Sequence, residues 1–223
     1  LVGIRYKGGD LTHPFVDLLA WTGAVQPRWL EVVAEEFAVF QPQAVRYCLA
    51  AGVSPLDSAI VDQHLVAGPA VGVEDSEIAP ARDLAWYDEF LWNHAAWSGN
   101  SPLGREVRPA DRESLQACLE QGRIVAALRG GAFVGVAASR RQSIRSISGW
   151  EVVEEFVIPE AQGQGLGARL QRSLMHRLPP GDCVWGTIHG ANTASLVTAR
   201  KCGREIVETW WMSPLGDSTG ADL

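Results

Sequence analysis

The chain has 223 residues, 47% hydrophobic and 20% charged, with a formal net charge of -7; this is ample apolar material for one large domain or two small ones. The acidic balance argues against a nucleic-acid or anionic-membrane partner, since both need a concentrated positive field. No apolar run approaches a membrane span and no basic stretch leads into an apolar core at the start, so neither a membrane segment nor a signal peptide is expected. The cysteines, Cys48, Cys118, Cys183 and Cys202, are widely spaced, with no CxxC pair and no Cys/His cluster; they read as reduced thiols of a cytoplasmic protein without a metal site.

In chain order, residues 28–40 carry Trp29, Val33, Phe37 and Phe40 at helical spacing. Residues 45–50 read as a strand, and 62–73 as one or two more, interrupted at Gly68-Pro69. A polar linker over 73–83 leads into an aromatic helix over 83–97, with Trp86, Phe90 and Trp97 on one side and Tyr87, Leu91 and His94 on another; it packs the two halves together, the default, or walls a pocket with one face, and 100–104 breaks it. Asp111 is placed to cap a helix over 111–121. Residues 123–128 and 132–139 form a hairpin around Arg129-Gly130-Gly131, a polar loop follows, and 150–158 is the next strand. A helix over 166–178 buries Leu166, Leu170, Leu174 and Leu178 and stops at Pro179-Pro180. A strand over 183–188, a helix over 192–201 closed by Gly203, and a strand over 205–212 complete the chain.

Chemistry concentrates where the strand at 150–158 meets the helix at 166–178. Gln162-Gly163-Gln164-Gly165-Leu166-Gly167 reads as a glycine turn whose backbone N–H groups converge on an anion, backed by the positive end of the following helix. It is neither a P-loop, lacking Gly-Lys-Ser/Thr, nor a GxGxxG fingerprint. No acid is placed to hold a ribose, and Ser195 lacks a Gly-x-Ser-x-Gly elbow. His13, His64, His94 and His176 are isolated, and no pair has metal spacing. Nine tryptophans are mostly core or interface material.

The pattern Gln-x-x-Gly-x-Gly after a β-branched strand, followed some thirty residues later by Asn192-Thr193-Ala194-Ser195 and by Gly203 at the helix end, resembles the GNAT acetyltransferase superfamily. The resemblance spans roughly the second half of the chain. It implies an α/β fold with a mixed, splayed sheet in residues 105–223, and acetyl-CoA as co-substrate, with no metal. The cofactor would lie against Phe156, Val157, Ile158, Gln162, Gly163, Gln164, Gly165, Leu166, Gly167, Ala168, Asn192 and Ser195. Pantetheine would enter a slot between the strands at 150–158 and 183–188, with the N–H near Val157 facing the thioester carbonyl. The implied reaction is direct transfer of acetyl to the amine of a small molecule or peptide; a non-catalytic acyl-CoA sensor or interaction module is the alternative. Residues 1–80 are either a degenerate copy of the same half-fold or an unrelated α/β extension, 81–104 form an aromatic connector, and the chain is a monomer or a homodimer.

Base candidates are Glu154 and Glu155, then Glu151. Alternation places Glu151 and Glu155 on one face and Glu154 on the other unless a bulge intervenes, and an ion pair with Arg140, Arg141 or Arg145 competes with catalysis for each. The tyrosine that many GNAT members use to protonate the departing thiolate corresponds to Ala199, and the aromatic residue after the helix-ending glycine to Arg204. His189 and Tyr87 are the substitutes available for that acid, and Arg169 and Arg172 belong to a solvated helix face or else reach the 3'-phosphate of CoA.

Overall fold

The computed structural model describes residues 1–7, 11–21 and 23–215. In chain order the elements are β1 (Val2–Tyr6), β2 (Pro14–Leu18), α1 (Arg28–Glu36), β3 (Ala44–Ala50), β4 (Ile60–Pro69), β5 (Ala79–Pro80), α2 (Tyr87–Asn100), α3 (Pro102–Glu106), α4 (Arg112–Glu120), β6 (Ile124–Arg129), β7 (Ala132–Ile144), β8 (Ile147–Val157), α5 (Leu166–His176), β9 (Cys183–His189), α6 (Thr193–Lys201) and β10 (Glu205–Pro214). They divide into two compact units, residues 1–65 with 206–223, and residues 66–205.

In the first unit the strand order is β1, β2, β3, β10, then the leading residues of β4. β2 and β3 are parallel, while β1–β2 and β3–β10 are antiparallel. Val16, Leu18, Val45 and Tyr47 from the strands pack with Val33 of α1, and Trp29 and Phe37 flank them. Arg46 is held by Asp17 at 2.7 Å and Asp62 at 3.2 Å. Charge on a strand interior is tolerated here because it is paired.

The second unit runs from the last residues of β4 through β9, β8, β7, β6 and β5. Helices cover both faces of β6–β8. On one face, α2 and α4 bring Tyr87, Phe90, Leu115 and Cys118 against Phe133, Val136, Ala138 and Phe156. On the other, the stripe Leu166, Leu170 and Leu174 of α5 meets Val125, Val134 and Ala137. The i, i+4 spacing of that stripe is what turns α5 onto the sheet. Asp111 caps α4 as its sequence position implies, its side chain accepting the Ser114 N–H at 2.7 Å.

Four sequence expectations are corrected. The stretch at 100–104 is not a plain break: Ser101 caps the short helix α3, in which Pro102 occupies the first turn where its missing N–H costs nothing. The polar residues after 139 are not a loop but the outer half of a hairpin, paired from Arg140↔Glu151 to Ile144↔Ile147 around Arg145 at φ 52°. Both faces are wet there, so apolar alternation is absent although the ladder continues. Strand β4 is a single element ending at Pro69, and β1, β2 and β5 lie in segments to which no strand was assigned.

Phe90 is fully buried and its ring touches those of Trp86, Tyr87, His94, Phe133 and Phe156. Phe90→Ala should destabilise the protein by about 3–5 kcal/mol, read as a lowered urea midpoint in tryptophan fluorescence; a loss below about 1 kcal/mol would refute this cluster as the core of α2.

Candidate active site

β8 carries one residue too many. Ala138 pairs with Glu154 but Ser139 with Val152, so Val153 is a bulge. Pairing of β8 with β9 is confined to Trp150↔Val184 and Glu151↔Trp185, immediately before it. Beyond the bulge β9 departs and the free edge of β8 lines a cleft. Ile158 N–H bonds the Val134 carbonyl of β7 at 3.0 Å; by alternation the Val157 N–H points to the opposite edge, the one β9 has left.

The bulge also resets side-chain parity. Glu151, on the α4 side, is tied to Arg140 at 2.7 Å. Glu154 stays on that side, Oε2 accepting the Ala110 N–H at 2.8 Å and Oε1 the Glu155 N–H at 3.0 Å. Glu155 turns to the α5 side, where Gln171 Nε2 donates to its Oε2. The expected pairing of Glu151 with Glu155 on one face therefore fails, and Glu151 does not line the cleft: its competing role as an ion-pair partner is the one the structure shows. Burial pushes the Glu154 carboxyl up to about 7, reinforced by neighbouring Glu155 and opposed by its two backbone hydrogen bonds. Burial likewise pushes Glu155 up to about 7, against the pull of Arg204 and Gln171.

At the end of β8 the chain makes the glycine turn. Val157 carbonyl accepts from Gln162 Nε2 at 2.9 Å, which closes it. Gly163 and Gly165 have φ of 75° and 78°, a region in which a side chain is strained. Gly167 is a different case from that expected of it: it is helical, and its role is close approach, since a Cβ would lie 3.0 Å from Glu155 Oε1. The helix cap Gly165 offers no side chain, and the first hydrogen bond within α5 runs from Arg169 N–H to Gly165 carbonyl. Leu166, Gly167 and Ala168 thus present N–H groups with no partner inside the helix, at the positive end of its dipole and with no acidic residue in the first turn. These donors fit an anionic, phosphate-bearing ligand.

The cleft holds about 500 Å³. Phe156, Val157, Gln162, Gly163, Gly165, Leu166, Gly167, Ala168, Asn192 and Ser195 all line it, as do Glu154 and Glu155. Asn192 also caps α6, its Oδ1 accepting the Ser195 N–H at 3.1 Å, which leaves its NH₂ as a donor. Ile158 and Gln164 do not line the cleft: Ile158 packs into the core with its N–H bonded to β7, and Gln164 Nε2 turns back to the Glu160 carbonyl. A smaller cavity of about 150 Å³ adjoins the same two glutamates and is bounded by Gly186, His189 and Arg204. Among the described residues no group of three or more His, Cys, Asp or Glu is arranged to hold a metal.

A family model described as the acetyltransferase (GNAT) family matches residues 83–203, more than half of the chain. The chain belongs to the GNAT acetyltransferase family. No curated protein matches it. Solved structures share its fold: a GNAT-family acetyltransferase from Colwellia psychrerythraea (TM-score 0.54, 11% identity, 96% of this chain and 85% of that one), a GCN5-related N-acetyltransferase from Sphaerobacter thermophilus (0.54, 14%, 96% and 76%), and one from Kribbella flavida (0.51, 17%, 94% and 84%).

Against the GNAT pattern, several candidates fall elsewhere. Tyr87 is buried with its hydroxyl donating to the Ala110 carbonyl at 3.2 Å, outside the cleft. His189 borders the smaller cavity, its Nδ1 accepting the Ala191 N–H. Arg169 is locked by Asp75 and Glu77, each at 2.7 Å, and Arg172 donates to the Lys201 carbonyl. Neither faces the cleft, because acids in the segment before α2 and the end of α6 claim them first. The cation on the cleft wall is Lys201. Sequence reasoning missed it, and missed Leu103 and Val107 of the opposite wall; His94 and Trp97, which complete that wall, lie on the aromatic helix, where the sequence leaves packing and a pocket wall both open. Burial lowers the His94 pKa by disfavouring the charged imidazolium.

The raised carboxyls carry a sign. A carboxyl near 7 in the folded chain and near 4.5 unfolded binds its proton more tightly when folded, so its stabilising contribution is present below pH 4.5 and is lost as pH climbs through about 7. Between pH 5 and 8, wild type should lose on the order of 1–3 kcal/mol of urea stability relative to Glu154→Gln. A parallel pH dependence of the two proteins would refute the raised carboxyl.

Proposed function

We propose that this GNAT protein is an N-acetyltransferase that moves the acetyl group of acetyl-CoA directly to the amine of a small molecule or peptide. The observation that carries this reading is the edge of β8 left open by β9, with the Val157 N–H on that edge, uncapped α5 donors at one end and Glu154 beside it. The N–H groups of Leu166, Gly167 and Ala168, with Gly163 and Gly165 giving the backbone room, would hold the pyrophosphate, with Lys201 as a nearby positive charge. Asn192 and Ser195 would flank the pantetheine arm. Acetyl-CoA supplies an activated thioester; the protein positions and moves protons.

Glu154, poised near neutrality, accepts the proton that the attacking amine sheds. The Val157 N–H steadies the negative charge that develops on the carbonyl oxygen. His94, Trp97, Leu103 and Val107 form the wall across the cleft, an apolar and aromatic surface that suits the body of the acceptor. The competing reading, a non-catalytic acyl-CoA sensor, draws support from Ala199, which brings no hydroxyl to the site.

Titration calorimetry with acetyl-CoA should give saturable binding; none up to about 1 mM would overturn the cofactor reading. Gly165→Val, strained by roughly 1–2 kcal/mol but with open space around its Cβ, should weaken that binding about tenfold or more. Release of CoA with a panel of amines separates enzyme from sensor. Glu154→Gln should cut the release rate by about 10²–10⁴ while leaving acetyl-CoA affinity near wild type; unchanged turnover would remove Glu154 as the base.

A further inference from the structure

The mechanism leaves one buried polar network unused. Arg204 is 2% exposed, and its Nε has no hydrogen-bond partner. Its NH2 group donates to Gln171 Oε1, and Gln171 Nε2 donates to Glu155 Oε2. Gln171 is itself buried on the sheet-facing side of α5. A guanidinium has donors only, so the glutamine must offer it oxygen and must therefore turn its NH₂ toward the carboxyl. The direction of the chain Arg204, Gln171, Glu155 is set by chemistry alone.

That direction decides where a proton on Glu155 resides. Oε2 is occupied as an acceptor, so the protonated carboxyl carries its hydrogen on Oε1. This atom makes no hydrogen bond among the described residues and is not one of the sealed, partnerless atoms. It lies beside Gly167, whose position Thr198 also borders; these two residues belong to the two helices flanking the cleft and both line it. Ala199, one residue on from Thr198, is fully buried and has no hydroxyl to give.

We propose that Glu155 is the general acid of this site, delivering the Oε1 proton to the departing CoA thiolate, and that Gln171 and Arg204 are positioning residues that hold the proton on that oxygen. The inference rests on the acetyl-CoA reading above. In the balanced step the amine nitrogen forms the new C–N bond, the C–S bond breaks, Glu154 takes one proton from the nitrogen, and Glu155 gives one to sulfur. The products are amide and thiol, and the two carboxyls then exchange their proton difference with solvent. Alternation along β8 sends the adjacent carboxyls to opposite sides of the strand, and the bulge at Val153 sets which goes where, Glu154 to the α4 side and Glu155 to the α5 side.

The charged and titratable groups around Glu155 are Glu154 on β8 and Cys202 and Arg204 beyond α6, with His94, Lys201, Arg108 and His189 on the walls of the same cavities. Arg204 and Gln171 both lower the Glu155 pKa, which gives the test its sign. In protein labelled with carboxyl-¹³C glutamate, the resonance lost in Glu155→Gln should titrate near 7 in wild type. In Arg204→Met and Gln171→Met the midpoint should rise by about one unit, a tenfold change in proton affinity. Arg204→Lys, which keeps a charge, should restore part of the shift and guards against a methionine variant that does not fold. A Glu155 midpoint in the ordinary carboxylate range, or one that none of these variants moves, would overturn the positioning roles.

The second measurement uses CoA itself as probe. Ultraviolet absorbance of the bound thiolate should show the CoA thiol ionising at lower pH in Glu155→Gln than in wild type, because the variant lacks the carboxylate that repels sulfur at high pH. Binding with no such difference would overturn the acid role. Failure of CoA to bind wild type at all would instead overturn the acetyl-CoA reading, and the acid role with it.

Discussion

A single inserted residue in β8 organises the cleft-bearing unit of this protein. With Val153 outside the β7 ladder, β8 bends, its pairing with β9 ends at Glu151↔Trp185, and everything after it changes face. An unbroken strand would have placed Glu151 and Glu155 together and kept β9 hydrogen-bonded along the edge where the Val157 N–H now points. The bulge thus creates both the opening and the arrangement of charge around it. It is supported from either side, by the aromatic cluster around Phe90 and Phe156 and by the leucine stripe of α5.

Two carboxyls pushed to about 7 within adjacent positions are a costly thing to fold around. The protein offsets the cost differently for each. Glu154 is met by two backbone N–H groups, those of Ala110 and of Glu155. Glu155 is met by a buried glutamine and, behind it, a buried arginine standing where the family more often has an aromatic side chain. Replacing an apolar contact with a charged relay is stable only because every link has a partner, save the Arg204 Nε. The first unit uses the same logic where Arg46 lies between Asp17 and Asp62.

Much of this was readable from residue order. The glycine turn, the α5 stripe, the Asp111 and Asn192 caps and the hairpin at Gly130-Gly131 are local events, governed by φ/ψ freedom, helical period and side-chain reach over three or four residues. Where the reading failed, a distant partner decided. Arg169 lies one turn from the glycine loop, yet Asp75, almost a hundred residues earlier, claims it. The outer part of β7–β8 is a ladder with both faces wet, which leaves no apolar alternation to detect. His94 and Lys201 reach the cleft only because α2 and α6 border it.

By itself the sequence determined that this chain ends a strand in a glycine turn, opens a helix with unpaired donors, and caps a second helix with an asparagine nearby. Those follow from local backbone chemistry, and with them the GNAT assignment. Tertiary structure alone decided which glutamate faces which side. A bulge is a property of the register between two strands, invisible in either one, and which hydrogen-bonding end of Gln171 meets Glu155 depends on an arginine on another element.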